Sequence, residues 1–229
     1  MTLFRAHTLT LLLLGAGFMN LNTLHAQFKG VQGIVGATSI DEDEIVFNGV
    51  EGLDPNDASS ELPTLWTVGV ASQQAAWGNP ETTLAGFEGG LLMSFGSDNR
   101  NVTAGNGTAI ITVDESIVLG DLFFGLFLSQ RLGGARFYTG IGPVVMYGRV
   151  TGDFNERGLD NSQQIIREET ESSWGMGGYA RAGLEFDWAT GGTFGIGVRG
   201  FYASLQFDQT LGDVDFQGVQ GLVSYTQGF

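Results

Sequence analysis

From residue 174 onward, apolar side chains recur at every second position. Trp174, Met176, Ala180, Ala182, Leu184, Phe186 and Trp188 form one row, broken only by Gly178, while Tyr179, Arg181, Gly183, Glu185 and Asp187 fall between them. A repeat of two is the signature of a strand with one apolar and one polar face. Thr190-Gly191-Gly192 reads as a tight turn. A second strand follows at once, with Phe194, Ile196, Val198, Gly200 and Tyr202 on one face and Arg199 on the other. Val219, Val223, Tyr225 and Phe229 make the row of a third.

Earlier segments repeat the pattern. Phe28–Ser39 sets Val31, Val35 and Ala37 against Gln32 and Thr38; Thr64–Gln73 carries Trp66, Val68 and Val70 on one face. In Thr83–Phe95, the row Ala85, Phe87, Leu91, Met93, Phe95 opposes Glu88 and Ser94. Arg136–Thr151 places Phe137, Ile141, Val145 and Tyr147 together, and Pro143 within it, lacking an N–H, predicts a bulge. Short connections near Asn79, Gly133 and Gly191 alternate with longer ones at 41–62, 96–107, 152–172 and 209–213.

A soluble sandwich also alternates, so the period alone does not choose. Trp174 and Trp188 at opposite ends of one apolar row sit where membrane strands carry interfacial aromatics. Full charges at mid-strand on the other face suit a polar lumen, and alternating short and long connections match periplasmic turns and outer loops. The segment 108–130 reads as two strands, 108–113 and 117–128, or as one. Even strand numbers are the rule for single-chain bacterial barrels, so one long strand, and eight in all, is expected. The fold class is therefore an all-β, eight-stranded antiparallel transmembrane barrel with up-and-down order.

With these features, the chain resembles the small bacterial outer-membrane barrels of the OmpA/OmpX type. The resemblance is carried by the layout and by a terminal strand with Val223, Tyr225 and Phe229 in one row, from which Gln227 departs. It implies that both termini are periplasmic, that this row is the assembly signal read by the barrel-assembly machinery, and that periplasmic chaperones escort the chain to outer-membrane lipid.

The N-terminus, with Arg5, an apolar run from Leu9 to Phe18 and Leu24-His25-Ala26 before Gln27, reads as a secretory signal over 1–26, leaving 27–229 as one barrel domain. Thirty-seven glycines against four prolines, without a triplet repeat, fit a crowded lumen better than collagen. The absence of cysteine excludes a disulfide framework. A net charge of −15 with Lys29 as the only lysine excludes nucleic acid as a partner.

Histidine narrows the chemistry further. His7 and His25 both lie in the signal segment, so the mature chain has neither a Ser-His-Asp nor a Cys-His nucleophile, nor His or Cys ligands for zinc. No enzyme activity and no cofactor are expected. Gly195-x-Gly197-x-x-Gly200 matches the dinucleotide fingerprint but lies inside a strand, and the sequons at Asn101 and Asn106 fall among loop polar residues. Asp41, Glu42, Asp43 and Glu44 are a weak calcium candidate, lacking the spacing of a binding loop. Glu88, Arg136, Arg181, Glu185, Asp187 and Arg199 all fall on inward faces. They read as a structural charge network filling a narrow lumen, with Arg199 expected to bridge to Glu185 or Asp187 across the hairpin. The alternative is an ion-selective constriction. The expected function is that of a monomeric structural or surface-interaction protein with acidic outer loops. A small channel is the runner-up, ahead of a barrel enzyme or a soluble lipocalin-like binder.

Overall fold

A computed structural model describes residues 27–41, 64–104, 109–158, 164–188, 191–207 and 212–227. Eight strands run in chain order: β1 (Gln27–Asp41), β2 (Leu65–Gly78), β3 (Thr83–Ala104), β4 (Ala109–Leu132), β5 (Ala135–Gly158), β6 (Gln164–Asp187), β7 (Gly192–Phe207) and β8 (Gly212–Gln227). Each pairs antiparallel with its neighbours, and β8 returns to β1, closing the barrel. The segment 109–132 is one strand, as strand parity requires. Residues 1–26, expected as a secretory signal, the acidic run 42–44, Asn106 and Phe229 lie outside the described residues.

Outward positions are apolar on every strand. Val35, Val70, Leu91, Phe124, Ile141, Met176, Val198 and Val223 are all exposed. All four tryptophans point outward: Trp66 (69% exposed) and Trp174 (69%) toward the long-hairpin end, Trp77 (56%) and Trp188 (58%) toward the other. Trp66 and Trp77 are eleven residues apart on β2. At about 3.3 Å per residue and a tilt of about 40°, that separates the girdles by about 28 Å, close to the apolar band of an outer-membrane barrel. Water would not tolerate so continuous an apolar surface.

The two rims differ. At one, tight turns follow Gly78, Leu132 and Trp188, with Gly133 (φ 66°) and Gly191 (φ 84°) in the left-handed region that a side chain resists. At the other, β3–β6 run well past the girdle. Residues 97–104 of β3 pair with 109–116 of β4, those with 151–158 of β5, and 151–157 with 164–170 of β6. The expected loops at 96–107 and 152–172 are thus largely strand, and a four-stranded sheet continues about 25 Å beyond the barrel wall. Polar, Asn- and Glu-rich composition hid these segments, because it carries no sustained apolar alternation.

Two further expectations change. β2 runs on to Gly78 and absorbs its extra residue as a bulge between Ala75 and Trp77. Pro143 causes no bulge: the β4–β5 register is unshifted on either side, and the ladder omits only the pairs between Phe123↔Val144 and Leu126↔Ile141. Gly125 and Gly142 lie at this gap, where each backbone passes so close to the opposite strand that a Cβ would strike a carbonyl oxygen.

The apolar girdle makes folding dependent on an amphiphile. The mature chain is expected to reach its β-rich, heat-resistant state in detergent micelles or lipid vesicles. A monodisperse, β-rich monomer in plain buffer, measured by circular dichroism and light scattering, would contradict the membrane geometry.

Candidate functional site

Among the described residues, chemistry-bearing side chains converge in the lumen. Inward positions on the eight strands bring glutamine, hydroxyl and charged groups into a space that an eight-stranded ring leaves just wide enough for side chains. The charges pair across it rather than along the wall.

Glu88 on β3 faces Arg181 on β6, and both are buried. The guanidinium donates through Nε at 2.9 Å to Oε1 and through Nη2 at 2.5 Å to Oε2. The same carboxylate accepts from the Tyr179 hydroxyl at 2.8 Å and from Gln73 Nε2 at 3.2 Å. Gly140 lies under it, where a Cβ would overlap the carboxylate itself.

Arg199 on β7 is 0% exposed. It makes a bidentate pair with Asp121 on β4, at 2.9 and 3.0 Å, and donates at 2.6 Å to Gln220 Oε1 on β8. Gln220 Nε2 donates to Thr38 Oγ1 at 3.0 Å, and Thr38, Thr67 and Ser94 close a ring of hydroxyls. One hydrogen-bonded path thus runs from β4 through β7, β8, β1 and β2 to β3.

Arg181 and Arg199 stand directly opposite in the β6–β7 register. Their mutual repulsion is met by rings: Phe123 lies 5.6 Å from the first guanidinium and 5.1 Å from the second. Tyr138 flanks Arg181, while Tyr179 and Phe201 flank Arg199. Each ring presents its electron-rich face to a desolvated cation, which is where such contacts are strongest. Gly90 makes room for Phe123, since a Cβ there would come within 2.7 Å of its ring.

Arg199 does not bridge to Glu185 or Asp187. Glu185 pairs in register with Gly195 and Asp187 with Thr193, two levels or more below Arg199. Asp121 takes their place. It sits alone in a run read as apolar on both faces, and its parity with Ile117, Leu119 and Phe123 marked it as inward. What no hairpin count could find is a partner across the lumen from a strand three positions back in the ring.

Glu185 is buried and accepts from Gln32 Nε2 at 3.0 Å. Asp187 and Arg136 share the inward parity but lie at the short-turn rim: Asp187 is exposed and bonded to Arg131 at 2.5 Å, and Arg136 is half-buried opposite Arg131 in register. Val223 and Tyr225 face outward on β8. Gly195, Gly197 and Gly200 lie within β7, so no phosphate-binding turn exists there. Among the described residues no three carboxylate, His or Cys side chains gather as metal ligands. Toward the long-hairpin end the lumen turns apolar, with Leu65, Ile117, Val150, Leu205 and Phe216 packed across it.

No protein-family model matches this sequence, and no curated protein matches it. Among solved structures, Ail, the attachment invasion locus protein of Yersinia pestis, crystallised with the heparin analogue sucrose octasulfate, aligns over 88% of this chain and 97% of its own at 11% identity and a TM-score of 0.41. Neisserial surface protein A aligns over 87% of this chain and 96% of its own at 8% identity and a TM-score of 0.43. The eight-stranded barrel itself rests on the closed ring of strand pairings.

The Arg199–Asp121 pair sets a measurable cost. Asp121→Ala, which strands a buried guanidinium, is expected to destabilise the folded barrel by about 3–5 kcal/mol. Arg199→Ala should cost a similar amount, and the double variant clearly less than the sum. Urea unfolding in vesicles, followed by loss of heat-resistant gel mobility, measures all three. Additive losses would mean that the pair is not coupled.

Proposed function

We propose that this chain is a non-enzymatic outer-membrane barrel with a closed lumen, both termini periplasmic, and a surface-interaction role carried by what stands outside the membrane. The observation that carries the reading is the asymmetry of the rims: short turns at one end, and at the other a four-stranded sheet raised by β3–β6. The outward segments are acidic in sequence, with Asp41 to Glu44, Glu51, Asp54, Asp57 and Glu61 between β1 and β2. Such a face repels anionic partners and favours cationic or neutral ones.

The filled lumen supports a scaffold over a channel. A conducting path needs a continuous wet route, whereas two guanidiniums are stacked between rings and an apolar layer lies beyond them. Planar-bilayer recording of the refolded protein is expected to show no steady unit conductance. Long-lived, reproducible openings would replace the scaffold reading with the channel reading.

Assembly is proposed to use outer-membrane lipid, the barrel-assembly machinery and periplasmic chaperones, with the monomer as product. Val223, Tyr225 and Phe229 would form the terminal signal. Deleting Phe229 is expected to lower outer-membrane levels severalfold, while deleting Asn161 from the β5–β6 connection leaves them near normal. Equal levels in fractionated membranes would remove the signal role.

A further inference from the structure

Around the long-hairpin rim, each strand has one outward position just past its apolar or girdle row. On six of the eight strands that position is a serine or threonine: Ser39, Thr64 just before β2, Ser97, Ser116, Ser172 and Ser204. Gln217 fills it on β8 and Arg149 on β5. All are exposed except half-buried Ser204. They follow directly on the aromatic girdle formed by Trp66, Phe95, Tyr147, Trp174 and Tyr202. Within that girdle, Tyr147 and Trp174 form a tilted pair with centroids 5.0 Å apart.

This is headgroup depth. Two residues along a tilted strand rise about 5 Å above the rings. Phosphate-bearing headgroups are ordinarily met there by Lys and Arg, which supply charge and forked donors. At that level the eight strands offer one guanidinium, that of Arg149, while Arg100, Arg157 and Arg167 fall farther along β3, β5 and β6; the sequence holds a single lysine, and the net charge is −15. Asp215, exposed on the outward face of β8 at the same rim, adds negative charge. The described cations Arg131 and Arg136 sit at the opposite rim instead.

We infer that the long-hairpin end of this barrel is fitted to lipids with uncharged, hydroxyl-rich headgroups, that is, neutral glycolipids, and not to a phosphate-dense leaflet. Short hydroxyls can both donate to and accept from sugar hydroxyls, and the girdle rings beneath them offer apolar faces to sugar C–H groups. A phosphate leaflet would face an anionic protein with one guanidinium, that of Arg149, at this level. The inference rests on the membrane orientation proposed above and goes beyond it to the chemistry of the surrounding lipid.

The test uses the mature full-length protein in nanodiscs of matched acyl chains. One set is a neutral galactosyl diacylglycerol and the other a doubly phosphorylated glucosamine lipid, each with magnesium or with chelator. The unfolding temperature is expected to be several degrees higher in the neutral glycolipid, with no response to chelation. Ser39→Lys/Ser97→Lys/Ser172→Lys should reverse that order. Arg149→Ala, a single surface change that leaves the lumen untouched, should widen it. Equal or greater stability in the phosphorylated lipid overturns the inference, whether the gain is direct or appears only with magnesium as a bridge. A narrower preference in Arg149→Ala counts against it equally. A barrel that folds without any lipid defeats instead the membrane orientation on which the inference rests.

Discussion

Closure is the constraint from which the other features follow. In hydrocarbon an unpaired backbone N–H or C=O costs several kcal/mol, so the ring of eight ladders must be complete, and β8 must find β1 across the whole length of the chain. Once closed, each side chain has two destinations, lipid or lumen, decided by parity alone. The lumen of so small a ring is too narrow for bulk water and too polar in sequence to be left dry. Its charges therefore have to satisfy one another.

They do so by reaching across the ring rather than to the adjacent strand. Glu88 and Arg181 join β3 to β6, and Asp121 and Arg199 join β4 to β7. Hydrogen bonds from Gln220 through Thr38 to Thr67 and Ser94 tie in β8, β1 and β2 as well. The ladders fix neighbours; these lateral ties fix the cross-section. Phe123 belongs to both ion pairs at once, since its ring meets both guanidiniums. The two pairs are thus one packed unit, and a change in either propagates to the other through that ring.

Most of the fold was legible in the sequence because parity is a local property. Outward rows such as Leu91, Met93, Phe95 announce themselves, as does the inward position of Arg199. Strand number followed from a closure rule. What was not legible depends on distance in sequence. The partner of Arg199 lies 78 positions away in the chain, and the register needed to find it accumulates over several strands. The extended ends of β3 to β6 were hidden for a different reason. Their residues are mostly polar and charged in sequence, so the apolar alternation that reveals a strand elsewhere is not sustained there.

The placement of the four tryptophans gives the molecule built-in optical markers. None lies in the lumen; two stand at each girdle, with aliphatic and phenyl side chains between. Selectively excited tryptophan emission therefore comes from the two lipid–water boundaries and from no residue of the charge network. A quencher attached at the bilayer midplane should dim the protein least, and quenchers nearer the headgroups should dim it most. During insertion the Trp77–Trp188 rim and the Trp66–Trp174 rim can be told apart by leaving one pair as phenylalanine, which turns the order in which the two ends cross the bilayer into a fluorescence trace.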